Sequence, residues 1–118
     1  MKRIVSYDKF VLACKIISEK LPQERFTDIY GIPRGGLVPA VYLSHLTGLP
    51  LTNFPQHPTT LIVDDIADTG HTLEEYNNYF IATIYYHKQS IVKPDIWVYE
   101  KKKQWIVFPW EKEALEEK

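Results

Sequence analysis

One stretch near the middle of the chain limits its fold more than any other: Leu61-Ile62-Val63-Asp64-Asp65-Ile66-Ala67-Asp68-Thr69-Gly70-His71-Thr72-Leu73. The apolar run Leu61–Val63 fits a buried strand, and it ends in two adjacent acids. A tight turn at Gly70 follows, and Thr72 to Tyr79 reads as helical. Backbone N–H groups at a helix start, with the hydroxyls of Thr69 and Thr72, make a phosphate cradle. Phosphate and carboxylates repel one another when superimposed, so Asp64 and Asp65 must face another part of the ligand. A ribose diol can donate to them, and Mg²⁺ carried on the same ligand would offset their charge. The pattern points to a phosphorylated sugar, gripped by its phosphate at the turn and by its hydroxyls at the acids. An N-capped helix whose acids serve the dipole would explain Asp68 or Thr69 alone. It does not explain three acids and two threonines around one open turn.

The rest of the chain places this stretch in an alternating frame. Phe10, Cys14, Ile17 and Leu21 share one face of a helix from Tyr7 to Leu21, with Ser6 as N-cap, Asp8 near the positive end and Pro22 as the stop. Asp28 to Ile32 reads as a short buried strand that runs into the loop Pro33-Arg34-Gly35-Gly36. A helix from Leu37 to Thr47 follows, with Pro39 tolerated in its first turn and Gly48 as its terminator. Further strands are expected at Leu51–Phe54, Ile81–Tyr86, Ile96–Tyr99 and Ile106–Phe108. Strand and helix alternate, so the expected fold is a single α/β domain with a central, largely parallel sheet flanked by helices. Ligands in such sheets bind beyond the carboxyl ends of the strands, where both glycine-bearing loops lie.

Composition narrows the class of function. The chain has 118 residues, with 14 Lys and Arg against 15 Asp and Glu, for a net charge of -1. A basic nucleic-acid clamp is not expected, because duplex binding leans on clustered cations. The single cysteine, Cys14, excludes an internal disulfide and a Cys-rich zinc site, and it suits a reducing cytoplasm. On an apolar helix face it reads as a small buried hydrophobe. Asp8, Lys9 and Lys15 interrupt any signal-peptide core, and no run reaches the ~18 apolar residues of a membrane span. A soluble, intracellular protein is expected. His45 and His57 have no partner at a metal-ligand spacing.

Val63-Asp64-Asp65-Ile66-Ala67-Asp68-Thr69-Gly70-His71-Thr72 closely resembles the phosphoribosyl pyrophosphate motif of the type I phosphoribosyltransferases. Gly31-Ile32-Pro33-Arg34-Gly35-Gly36-Leu37-Val38-Pro39 resembles the pyrophosphate loop of the same family, especially its xanthine-guanine and related 6-oxopurine members. Trp105-Ile106-Val107-Phe108-Pro109-Trp110-Glu111 is similar to the C-terminal base-binding segment of those enzymes. The three matches occur in the family's order and cover, in patches, Asp28 to Glu111.

The resemblance implies a type I phosphoribosyltransferase fold and a transfer reaction. A 6-oxopurine displaces pyrophosphate from the ribose C1 of phosphoribosyl pyrophosphate, with Mg²⁺, and a nucleoside 5′-monophosphate results. It implies that Asp64 and Asp65 contact the ribose hydroxyls or metal-bound water. Ala67, Thr69, Gly70, His71 and Thr72 would hold the 5′-phosphate, and Asp68 is the candidate general base. Arg34 would bind pyrophosphate, with Gly35 and Gly36 allowing close backbone approach. Trp105 would stack on the base beside Ile106, and Lys88 would hydrogen-bond its exocyclic oxygen, with His87 competing for that place. A cis Pro33–Arg34 peptide is also implied. Trp97 and Trp110 read as core or interface residues, Lys101-Lys102-Lys103 as a solvated hairpin tip, and Glu111 to Lys118 as a charged tail or short helix.

One departure stands out. Family enzymes usually carry a long flexible hood between the two loops, and here only Leu37 to Thr60 separates them. A long mobile hood does not fit. Shielding of the transition state then falls to a neighbouring subunit, to a short loop around His57, or to nothing, and a homodimer or larger assembly is expected. A non-catalytic module that binds phosphoribosyl pyrophosphate or a nucleotide, and a variant acting on a pyrimidine, remain as alternatives.

Overall fold

A computed structural model describes residues 1–22 and 24–116. The chain runs β1 (Lys2–Ile4), α1 (Tyr7–Lys20), β2 (Asp28–Gly31), α2 (Leu37–Thr47), β3 (Thr60–Ala67), a single 3₁₀ turn (Glu74–Tyr76), β4 (Phe80–His87), β5 (Ile96–Lys101), β6 (Trp105–Val107) and α3 (Lys112–Glu116). Four strands form a sheet in the order β2-β3-β4-β5, and β1 and β6 form a small second sheet. Every pairing is parallel. The expected alternating, parallel architecture is therefore what the chain builds.

Both long helices pack on one face of the main sheet. The Ser6 side chain caps α1 by accepting the Lys9 N–H at 3.1 Å. Helix α1 then buries Phe10, Ala13, Cys14 and Ile17, and α2 buries Ala40 and Leu43, against Leu61, Val63, Ala82 and Ile84 of the sheet. Cys14 is fully buried, and burial pushes its thiol up to about 12, so the bland reading of this residue holds. Trp110 stacks on Phe108 and meets Phe10 edge-on, as a core aromatic should. Gly48 ends α2 in the left-handed region at φ 79°. The opposite face of the sheet is covered by Leu73, Tyr76, Tyr79 and Val92, which lie on turns rather than on a helix.

Several expectations need correction. The segment Thr72 to Tyr79 is not a helix. Its bonds Leu73 N to Gly70 O, Glu74 N to His71 O and Tyr76 N to Leu73 O all span three residues, and β4 starts at Phe80. Leu73, Tyr76 and Tyr79 carry a helical spacing, but the chain turns back too soon for an α-helix to propagate. Strand β3 is longer than its apolar run. Its ladder with β4 continues through Asp64–Thr83 and Ile66–Tyr85 to Ala67–Tyr86, so both acids lie within the strand. Leu51 to Phe54 is not a strand, since Leu51 makes only one bridge, to Ile29. Strand β6 begins one residue early, at Trp105, because it pairs with β1, a strand not anticipated at all. The triple-lysine run is not wholly a hairpin tip: β5 extends to Lys101, whose side chain is turned inward. At the far end, α3 is the short helix expected, while Glu117 and Lys118 lie outside the described residues.

Candidate active site

Parallel pairing sends the carboxyl ends of β2, β3, β4 and β5 to one edge of the sheet. Gly31 of β2 is opposite Val63 of β3, so the loop after β2 and the acidic end of β3 emerge side by side. Ile32 continues the contact by donating its N–H to the Val63 carbonyl at 2.9 Å. The loop then closes on itself, Gly36 N–H to Ile32 O at 2.8 Å, and the Pro33–Arg34 peptide within it is cis, as the resemblance implied. Arg34 is exposed, and among the described residues its side chain makes no ion pair or hydrogen bond. It stands free to meet an anion.

Asp64 and Asp65 behave differently although they are adjacent. Asp64 is 8% exposed, and Asp65 is half-buried. Burial, and next the Asp65 charge, push the Asp64 carboxyl up to about 8. Asp64 Oδ1 accepts the Asp65 N–H and Asp65 Oδ1 accepts the Ile66 N–H, each at 2.8 Å, which fixes both side chains. Among the described residues no third histidine or acid completes a metal cage. Two carboxylates of this kind fit a Mg²⁺ that arrives on its substrate and keeps most of its waters.

Beyond β3 the chain makes an open bend. Gly70 adopts φ 89°, and a Cβ there would strike Ser90 Oγ and the backbone nitrogens of Ile91 and Val92. Only glycine fits both constraints. The Ile91 N–H donates to the Thr69 carbonyl at 2.9 Å, so the segment after β4 braces the bend. The N–H groups of Thr69, Gly70 and Thr72 have no partner among the described residues, and the two threonines are exposed. These groups, rather than the start of an α-helix, are the open N–H donors of the expected cradle. His71 lies beside it, its Nδ1 3.1 Å from Glu74 Oε1, and Ala67 is buried beneath.

Asp68 sits between this cradle and the ends of β4 and β5. Gln89 Nε2 donates to its Oδ1 at 3.0 Å, and Lys101 Nζ lies 3.5 Å from its Oδ2. Neither partner was anticipated from sequence. Lys88 is 80% exposed and lies 3.6 Å from Glu100, while His87 Nδ1 accepts the Gln89 N–H at 3.1 Å. Trp105 is 62% exposed and Ile106 beside it is buried in the core. The exposed Trp105 indole is open for stacking, unlike Trp97, which packs against Tyr86.

The crystal structure of a purine phosphoribosyltransferase from Pyrococcus horikoshii superposes with a TM-score of 0.82, at 34% identity, over 94% of this chain and 94% of that one. The chain belongs to the phosphoribosyltransferase family. Two more distant structures share its fold. The xanthine-guanine-hypoxanthine phosphoribosyltransferase of Helicobacter pylori matches at a TM-score of 0.83 and 19% identity, covering 98% of this chain and 97% of that one. A Neisseria gonorrhoeae protein solved with bound ppGpp matches at 0.76 and 19% identity, covering 99% and 94%. No protein-family model and no curated protein matches the sequence. The phosphoribosyltransferase is an enzyme of the transferase class, and no helix among its described residues is long and apolar enough to cross a membrane.

Proposed function

We propose that this phosphoribosyltransferase moves the phosphoribosyl group of phosphoribosyl pyrophosphate onto a 6-oxopurine, giving pyrophosphate and a nucleoside 5′-monophosphate. The observation that carries the reading is the meeting of the loop after β2 with the acidic end of β3. Gly35 of the loop is packed directly on the Asp65 carboxylate of the strand. A ligand bearing a ribose and two separate phosphate groups would bridge the pair. The 34% identity to a purine enzyme supports the purine class, and Trp105 with Lys88 suits a base that carries an exocyclic oxygen.

In this mechanism the N–H groups of Thr69, Gly70 and Thr72 and the two threonine hydroxyls bind the 5′-phosphate. Asp64 and Asp65 accept the ribose hydroxyls and hold Mg²⁺ through its waters or through the ligand. Bound there, Mg²⁺ would neutralise charge on the pyrophosphate. The bond from C1 to the pyrophosphate oxygen breaks with its electron pair leaving on pyrophosphate, which Arg34 takes as a forked donor. A ring nitrogen of the base bonds to C1, and its proton passes to Asp68. Trp105 stacks on the ring and Lys88 turns from Glu100 to the exocyclic oxygen.

The direct test offers phosphoribosyl pyrophosphate, Mg²⁺ and a panel of purines and pyrimidines, and measures pyrophosphate release. Turnover with guanine, hypoxanthine or xanthine is expected, and none with uracil or orotate. If no base in the panel releases pyrophosphate while phosphoribosyl pyrophosphate still binds, the proposal is refuted in favour of a binding module.

We further infer a homodimer or larger assembly in the cytoplasm. Leu37 and Val41 of α2 are 47% and 41% exposed, and Phe54, in the short link to β3, is 69% exposed. These apolar groups would be covered by a second copy, which would also shield the site in place of a long hood. Light scattering that shows a fully active monomer contradicts this.

A further inference from the structure

We propose that Lys101 is a positioning residue that, with Gln89, fixes the Asp68 carboxylate in the orientation that receives the incoming base. The inference rests on the proposed contact between Asp68 and the base. Its starting point is an oddity of burial. Of the run Lys101-Lys102-Lys103, the last two are exposed, but the Lys101 side chain is only 10% exposed. An ammonium taken out of water needs a partner. The partner here is Asp68, and no other carboxylate is paired with Lys101 among the described residues. Its neighbour Glu100 is 3.6 Å from Lys88 instead, so each acid has its own cation.

The register explains how a residue thirty-odd positions away reaches Asp68. Ala67 is opposite Tyr86, and His87 is opposite Lys101. The last residues of three neighbouring strands are thus brought to one point on the sheet edge. Gln89 reaches it from the loop after β4, with its own backbone held by His87 Nδ1. The two donors address different oxygens, Gln89 on Oδ1 and Lys101 on Oδ2. One donor would leave the carboxylate free to pivot about that bond, and two fix its plane. A carboxylate has about four acceptor positions, so each oxygen retains one for a base N–H. The ammonium also offsets the Asp68 charge where an anionic sugar phosphate must dock nearby.

The test uses the whole protein and its Lys101→Gln, Lys101→Arg, Asp68→Asn and double variants, with Lys102→Gln as the surface control. The first readout is the side-chain amide signal of Gln89 in an NMR spectrum. In Lys101→Gln it should move toward its position in Asp68→Asn, and in Lys102→Gln it should stay. The second readout is steady-state kinetics with hypoxanthine and phosphoribosyl pyrophosphate. Misplacement of a reacting group costs up to about 10²-fold, so Lys101→Gln should lower kcat by roughly tenfold to a hundredfold. The KM for phosphoribosyl pyrophosphate should not change, and Lys101→Arg should recover most of the rate. Adding Lys101→Gln to Asp68→Asn should cost nothing further, since the group being positioned is already lost. An unmoved Gln89 signal overturns the proposal whether or not the protein turns over a purine. So does a double variant whose losses multiply. If wild type releases no pyrophosphate while the Gln89 signal responds as expected, the proposed reaction is wrong and Lys101 still holds Asp68.

Discussion

The backbone of Gly35 lies against the side chain of Asp65, with no space between them for a methyl group. The loop after β2 and the acidic end of β3 therefore share one surface, and each limits the other. In Gly35→Ala the new Cβ must displace the Asp65 carboxylate, which is also tied to the Ile66 N–H at 2.8 Å. Overpacking of this kind costs about 1–3 kcal/mol of stability. Turnover should fall further than stability does, because the displaced acid is one proposed to grip the ribose. Urea unfolding and pyrophosphate release on the same preparation check both halves.

Asp68 and Asp65 should fail in different ways. Asp68→Asn keeps the size and a hydrogen-bonding oxygen but removes the proton acceptor. Loss of a general base costs roughly 10² to 10⁴-fold in turnover. Binding of a nucleoside monophosphate should change little, because its phosphate is proposed to sit in the Thr69–Thr72 bend. Asp65→Asn should in addition raise the KM for phosphoribosyl pyrophosphate. Full turnover in Asp68→Asn would shift the burden of rate to Arg34 and the leaving group.

Trp105 should affect only the base. Stacking on an aromatic ring is worth about 1–3 kcal/mol per base, so Trp105→Ala should raise the KM for the purine by roughly tenfold or more. The KM for phosphoribosyl pyrophosphate should stay as it was. Equal changes in both constants would mean that the indole supports the loop rather than the ligand.

Asp64 makes a prediction about pH. Its folded carboxyl keeps a proton up to about 8, whereas in the unfolded chain it ionises near the ordinary value of 3.8. Between those limits the folded state binds more protons than the unfolded state, so this group makes stability fall as pH rises. The penalty is absent below the unfolded value and complete above the folded one. Asp64→Asn cannot ionise and should gain on wild type across that window. Urea unfolding of both proteins in metal-free buffer, at about pH 5 and about pH 8, measures the difference. Parallel losses in the two proteins would show that Asp64 is ionised throughout.

What could be read from sequence was whatever is local in the chain. The bend at Gly70, the acids before it and the Pro33–Gly36 loop are each contiguous, so residue type and spacing identify them. Where a result depended on pairing between distant segments, sequence was silent. Lys101 looks like its neighbours Lys102 and Lys103 until the β4–β5 register places it beside Asp68. Lys2, Arg3 and Ile4 are exposed and too few to show a strand period, yet they pair along β6. Periodicity misled at Leu73, Tyr76 and Tyr79, because turns that cover a sheet face can repeat every three residues as a helix does. The apolar run Leu61–Val63 understates β3 for a different reason: polarity marks burial, whereas strand length is set by the partner strand.

The pairing of β1 with β6 has a consequence for how the enzyme comes into being. Trp105 is fastened through its backbone to Met1, and Lys2 is aligned with it across more than a hundred positions of chain. Closing so long a loop is entropically expensive and pays nothing until both ends arrive. The Pro33–Gly36 loop and the Gly70 bend are built from β2, β3, β4 and the Ser90–Val92 segment that braces the bend, whereas Trp105 takes its place only when the last strand has been synthesised. A nascent chain on the ribosome would thus complete the two segments proposed to grip the sugar phosphates before the indole proposed to stack on the base is in place.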